Sequence, residues 1–334
     1  MIPHNKPTLG IEEKEAVSRV LDSNYLSQDK EVISFENEFC KFIGLPKEHA
    51  VAVSNGTTAL FLSLWVLNSN GRRVAFPSYV CSAVRNAVNM IGANEEILDV
   101  KKETPNIEYK KIKKETIAII PHMFGIPSDI TKVGNMKTIE DCAQALGAKI
   151  NGISVGLHGD AGIFSFYVTK LITTGGQGGM FVSKNKKLVD KVRDYREFDL
   201  RHDQKKRFNF QMTEIQAAIG REQLKKLPKF LKRREVIFQK YKKAGLDLLD
   251  LETNQNNLSP IRYRAIMKTN KPNKIIKSLE SVGVKAVIPI EDWELLGKHE
   301  LFPNSVELSK KTVSLPIYPT LTDQDIDIIL SAIT

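Results

Sequence analysis

The sequence predicts an α/β fold in which a mostly parallel sheet is covered by helices on both faces, followed by a smaller α+β unit. Three observations predict it. Short apolar runs recur along the chain, each bounded by Gly, Pro, Asn or Asp, as strand ends are. Stretches of helical period lie between them. After about residue 225 the alternation gives way to a long charged segment. Strands that alternate with helices pair in parallel, because each return needs a crossover, and the crossovers cover both faces.

The elements follow in order. A first strand is read at 51–54 and a helix at 57–67, where Leu60, Leu64 and Leu67 share one face. A second strand at 73–77 leads to a helix at 81–90. Further strands are read at 96–100, 116–121, 137–142, 162–167 and 179–183. The run at 116–121 is continuously apolar, as suits a strand buried on both faces. The smaller unit starts with a charged helix at 228–244. A strand at 261–267, a helix at 273–282, a strand at 284–288 and a helix at 323–333 complete it. The expected division is a large unit of residues 1–228 and a small one of 229–334, and 334 residues suffice for two such units.

Composition narrows the function. Hydrophobic residues make up 42% and charged residues 26%, an ordinary globular balance. The first fifteen residues lack a signal peptide's apolar run, and no apolar run is long enough to cross a bilayer. A soluble, cytoplasmic chain with no membrane partner is expected. Cys40, Cys81 and Cys142 form no C-x-x-C and no Cys/His cluster, so neither a metal site nor a disulfide framework is expected. The net charge is +10. Lys225, Lys226, Lys229, Lys232, Arg233 and Arg234 crowd one helical stretch, with no aromatic residues interleaved for stacking on bases. That stretch reads as a solvated face, with no nucleic-acid partner. A basic surface also suits a small anionic substrate.

In an open parallel sheet, ligands bind beyond the carboxyl ends of the strands. After the first strand come Gly56, Thr57 and Thr58: a glycine that allows close approach, then hydroxyls at a helix start. Free N–H groups there favour an anion such as phosphate, although an ordinary helix cap would look the same. After 137–140 comes Asp141, a strand-end carboxylate able to hold a proton on a ring nitrogen or to cap a short helix. After 162–167 comes Lys170, with glycines at 175, 176, 178 and 179 behind it. The glycines follow the lysine, so this is no P-loop. A phosphate site, a carboxylate and a lysine are together the parts that a pyridoxal-phosphate site needs.

Six motifs in order resemble one family. They are KPTLG at 6–10 with LSQ at 26–28, VSNGTTAL at 53–60, IEDCAQALGA at 139–148, GDAGIFSFY at 159–167 running into Lys170, NFQM at 209–212 before QAAIG at 216–220, and SLPIYP at 314–319. The chain resembles, almost end to end, the DegT/StrS sugar aminotransferases. The resemblance implies the three-layer fold of PLP-dependent transferases of fold type I, with pyridoxal 5'-phosphate as cofactor. By position, Lys170 matches the lysine that forms the imine and Asp141 the carboxylate on the pyridine nitrogen. Gln144 matches a residue by the ring and its phenolic oxygen. Gly56, Thr57 and Thr58 match the phosphate turn, and Ser165 a further phosphate hydroxyl. Asn209 matches an asparagine that reaches the neighbouring subunit's phosphate, which implies a homodimer with a shared active site.

The implied reaction moves an amino group from an amino donor, L-glutamate by family habit, to a nucleotide-linked keto sugar, as amino-sugar or polysaccharide biosynthesis requires. A PLP-dependent sugar dehydratase is the alternative within the family, but those members carry histidine where Lys170 stands. Amination of a non-sugar ketone stays open, and a non-catalytic basic regulatory protein fits least. Two positions depart from the pattern. Cys81 stands where an aromatic residue often stacks on the ring, with Tyr79 as the nearby substitute, and Gln211 replaces a common basic residue. Lys205, Lys206 and Arg207 are candidates for acceptor contacts. His122 is expected to border the site and orient its loops.

Overall fold

The computed structural model describes residues 1–107, 109–113, 115–251 and 257–333. In chain order the strands are β1 (Ala50–Val53), β2 (Arg73–Pro77), β3 (Asn94–Leu98), β4 (Ile117–Pro121) and β5 (Thr138–Asp141). They continue with a small hairpin of β6 (Lys149–Ile150) and β7 (Ile153–Ser154), then β8 (Ala161–Ser165) and β9 (Gly179–Val182). β10 (Leu258–Ser259), β11 (Ala265–Lys268) and β12 (Thr312–Leu315) follow. The helices are α1 (Ile11–Ser23), α2 (Lys30–Ile43), α3 (Gly56–Val66), α4 (Ala83–Met90) and α5 (Lys186–Arg196), then α6 (Glu214–Lys243), α7 (Pro272–Ser281), α8 (Pro303–Lys310) and α9 (Asp323–Ile333).

The central sheet has seven strands in the order β1-β9-β8-β5-β4-β2-β3. Only β9 runs against the rest, pairing antiparallel with both β1 and β8. Each expected strand of this sheet is present, within a few residues. β1 (AVAV) and β4 (IAIIP) are buried along their whole length, because helices cover both faces. On one face α2 buries Val32, Phe35, Phe39, Cys40 and Ile43, a helical stripe. Phe39 meets Phe164 of β8 edge-on at 5.0 Å. On the other face α3 is apolar nearly all round and packs against β8, β9, α4 and α5.

A buried carboxylate fixes the end of the sheet. Glu36 of α2 accepts from Arg196 Nη1 at 2.5 Å, from Arg193 Nη1 at 2.6 Å and from the Ala52 N–H at 2.9 Å. It ties α2 and α5 to β1 just before the turn that opens the site. A second core lies beyond the sheet. Ile237, Phe238 and Tyr241 of α6 pack with Ala265, Leu279, Val313 and Leu315, and Tyr241 Oη donates to the Pro316 carbonyl at 2.8 Å.

The helix expected at 228–244 starts at Glu214. Thr213 and Gln216 cap it reciprocally, and it continues through Pro228. Proline signals a helix start from sequence, but this one sits inside a 30-residue helix whose buried residues override the local preference. Arg234, read as solvated, is 2% exposed. Residues 284–288 form no strand. Val284 and Val287 make single bridges to Ile2 and Ser314. Among the described residues, no helix is long and apolar enough to cross a membrane.

Candidate active site

The carboxyl ends of β1, β2, β4, β5 and β8 lie on one edge of the sheet, and β9 begins there. The segments that leave these ends enclose a cavity of about 300 Å³, large enough for a small cofactor. Of the expected site residues, Gly56, Thr57, Asp141, Gln144, Ser165 and Lys170 line it. Thr58 and Asn209 do not.

The β1–α3 turn forms one end. Asn55 caps α3, its Oδ1 accepting from the Thr58 N–H at 2.8 Å. Thr58 is therefore spent on the cap, its hydroxyl also 3.1 Å from Asn55 Oδ1. Gly56 and Thr57 keep first-turn N–H groups at the cavity, where the helix dipole favours negative charge. Gly56 is required by space. A Cβ there would stand 2.9 Å from the Ser165 Cβ and 3.1 Å from its Oγ. This contact brings the Ser165 hydroxyl, at the end of β8, next to the turn.

Asp141 ends β5. No helix follows it, contrary to one reading of the sequence. Its Oδ1 instead accepts from the Ala143 N–H at 3.0 Å and holds a turn. Burial pushes its carboxyl above the ordinary value, while that N–H and the Lys170 and His122 side chains pull it back. Gln144 Oε1 accepts from the Phe124 N–H at 2.8 Å. The bond fixes a residue held at φ 59° and leaves the Gln144 amide NH2 to donate.

Lys170 sits on a loop that the structure ties down. Val168 and Thr174 N–H groups donate to the carbonyls of Gly176 and Phe166 at 3.1 and 3.3 Å. Asn5 Nδ2 reaches the Thr169 carbonyl at 2.7 Å. Gly176, at φ 128°, makes the return possible. The Lys170 Nζ lies 5.6 Å from the centre of the Tyr263 ring, and Tyr263 is 5% exposed. Burial would raise this phenol's pKa, but Lys170, Arg264 and Arg234 nearby bring it down from 10 to about 8.

His122 borders the cavity as expected. The Ser128 N–H donates to its Nδ1 at 3.0 Å, so its Nε2 carries the proton and donates to Glu140 Oε2 at 3.0 Å. Glu140 also accepts from the N–H groups of Gly156, His158 and Gly159 at 2.9, 2.6 and 2.8 Å. His122, Glu140 and Cys142 have ligand-type atoms within 4.8 Å of one another. Both Glu140 oxygens are already occupied in stitching the loop at 156–159 to β5.

Other expectations change. Tyr79 does not replace the missing aromatic residue. It is fully buried, its ring meets Phe124 edge-on at 6.2 Å, and Cys81 lines the cavity. Arg207 is held by Asp194 at 2.9 Å and Asp203 at 2.6 Å. Together with Lys205 and Lys206 it borders a separate hollow beside Trp65 and Tyr195. Asn209 is exposed, its Oδ1 accepting from the Gln211 N–H at 3.2 Å. Tyr167 and Gln177 line the cavity without having been anticipated. Their places before Lys170 and before β9 were the available signal. Tyr263, more than ninety residues from Lys170, left none.

The model of the DegT/DnrJ/EryC1/StrS aminotransferase family matches residues 7–334. The chain belongs to this family and is a PLP-dependent aminotransferase of fold type I. The GDP-perosamine synthase of Escherichia coli O157:H7 is 31% identical, over 99% of this chain and 97% of that protein. The aminotransferase TlmJ of Streptoalloteichus hindustanus superposes with a TM-score of 0.92 at 25% identity, covering 99% of this chain and 97% of its own. Spr1654 of Streptococcus pneumoniae, solved in its PLP form, shares the fold with a TM-score of 0.91 at 21% identity, over 99% and 97% of the two chains.

Proposed function

We propose that this enzyme aminates a nucleotide-linked keto sugar, with L-glutamate as amino donor. The observation that carries the reading is the convergence in one cavity of the Lys170 amine, the Asp141 carboxylate and an anion cradle built from the α3 N-terminus and Ser165. These residues fit pyridoxal 5'-phosphate. Gly56 and Thr57 N–H groups and the Ser165 hydroxyl would hold its phosphate, with Thr58 anchoring their turn. Asp141 would pair with the pyridine nitrogen, Gln144 would donate beside the phenolic oxygen, and Lys170 would hold the cofactor covalently.

When bound, the cofactor supplies an electrophilic carbon and a ring that withdraws electrons. Lys170 would serve as the general base that takes the proton from the donor's α-carbon and then as the acid that gives it back. Asp141, half-buried at the end of β5, would keep the ring nitrogen protonated once that cation stands opposite. His122 and Glu140 keep the loops around Asp141 in register. Asn209, exposed in one chain, would complete the site of a second copy in a homodimer. The same reading divides the chain into a cofactor-binding unit of 1–228 and a smaller unit of 229–334.

The acceptor class is supported by the GDP-perosamine synthase relative and by the net charge of +10, which favours a diphosphate substrate. A panel test decides it. The enzyme is converted to its amino form with L-glutamate and offered nucleotide-linked 4-keto and 3-keto deoxysugars. Return of the starting cofactor spectrum with at least one of them is expected. Return with none, but with a free ketone or cyclitol, would replace the sugar acceptor.

A further inference from the structure

Three arginines surround Tyr263, whose ring lies beside Lys170, and they differ in how they are satisfied. Arg262 donates to Glu235 at 2.9 Å and to Asp250 at 2.6 Å, and lies over the Phe238 ring at 3.8 Å. Arg234 donates through Nη1 to the carbonyls of Tyr263 and Ile317 at 3.0 and 2.8 Å. Arg264 has no hydrogen bond or ion pair among the described residues, and its Nη1 is closed off from solvent. A guanidinium with a buried, unused donor costs folding free energy. Arg234 also leaves its Nε unused, but its Nη1 is bonded; Arg264 of the three has no bond to a described residue, which leaves its guanidinium free for a ligand.

The position of Arg264 says which ligand. Its guanidinium carbon lies 5.7 Å from the centre of the Tyr263 ring, and the Lys170 Nζ lies 5.6 Å from the same point. The two cations are therefore no more than about 11 Å apart, within reach of one amino acid whose nitrogen takes the place of the lysine's and whose carboxylate meets the arginine. Among the described residues no carboxylate pairs with Arg264, although Asp141 acts on Lys170 and Glu294 shares the surroundings of Tyr79 with Arg264. His4, held in its neutral form by burial and by Arg264, Lys285 and Arg234, shows that this corner is electropositive.

We propose that Arg264 binds a carboxylate of the amino-acid donor. The inference rests on the aminotransferase reading and adds the donor's binding group. A carboxylate ends where it binds, which suits a donor closed off from solvent. The diphosphate of a nucleotide sugar continues into a nucleoside and needs an open path.

The test uses the holoenzyme, Arg264→Met and Arg264→Lys, with two probes. The first is the half-reaction with L-glutamate alone, followed by cofactor absorbance. The second is glutarate, an unreactive dicarboxylate, followed by thermal shift. Loss of a two-pronged charged contact should raise the half-saturating glutamate concentration on the order of 10- to 100-fold in Arg264→Met. It should also abolish the glutarate shift and leave the acceptor KM within about twofold. Arg264→Lys should recover part of both donor effects, which a purely structural role would not produce. Unchanged glutamate saturation and an intact glutarate shift would overturn the proposal. So would a rise confined to the acceptor KM, which would hand Arg264 to the diphosphate. If the wild type reacts with no amino acid, the aminotransferase reading falls, and Arg264 then stands or falls by glutarate alone.

Discussion

Burial raises the Asp141 carboxyl above its ordinary range, so in the cofactor-free protein its ionisation costs stability. The sign follows from the direction of the shift. Below the ordinary carboxylate value both folded and unfolded states hold the proton and the cost is absent. It grows as the pH rises and is complete above the raised value. Asp141→Asn should therefore raise the melting temperature of the stripped protein at pH 7 relative to wild type, and the advantage should shrink towards pH 4. The same variant should lower kcat on the order of 100-fold or more, because an amide does not hold the ring nitrogen's proton. A stripped variant no more stable than wild type at pH 7 would show that Asp141 is not buried at such a cost. Tyr263 offers a second readout. Its phenol should titrate near 8 in the stripped protein by ultraviolet difference spectroscopy, and Lys170→Met should move that midpoint upward. An unmoved midpoint would separate Tyr263 from Lys170.

The turn from β1 into α3 acts as a unit. Gly56 allows the helix start to lie against Ser165, and Asn55 fixes the cap. Gly56→Ala forces its Cβ against that of Ser165 and should cost about 1–3 kcal/mol of stability. It should also weaken cofactor retention, measured by dialysis and residual absorbance. Full retention would mean that the phosphate is held elsewhere. Much of this element was legible in the sequence, because strand, glycine, hydroxyls and helix are contiguous there. Lys170 and Asp141 were legible as cavity residues for the same reason, one standing just past a strand and the other at a strand's carboxyl end. The start of α6 was not, since Pro228 gives a stronger local signal than the capping pair at Thr213 and Gln216. The nearness of Tyr263 and Arg264 to Lys170 was illegible. Tyr263 packs in the sheet's own core and Arg264 follows it, so only tertiary packing brings them near Lys170, and no local pattern encodes that meeting. Tyr79 misled because its neighbour in sequence, Cys81, faces the cavity while Tyr79 packs into the core.

At the scale of the whole molecule, the exposed Asn209 matters. It lines no part of its own chain's cavity, and the exposed side chains of Phe198, Leu200 and Phe208 share its segment. A homodimer in which each Asn209 serves the other copy predicts complementation. Lys170→Ala and Asn209→Ala should each be impaired alone. A mixed population after subunit exchange should recover about a quarter of wild-type activity, because each mixed dimer rebuilds one complete site. No recovery, with exchange confirmed by mass, would place both residues in the same chain's site or remove Asn209 from the chemistry.

The covalent link at Lys170 is the central claim, and borohydride reduction of the holoenzyme followed by peptide mapping tests it most directly. The predicted result is one reduced cofactor adduct, carried by the peptide that contains Lys170 and absent from Lys170→Ala. An adduct on any other lysine, or none in a protein that retains the cofactor, would contradict the account.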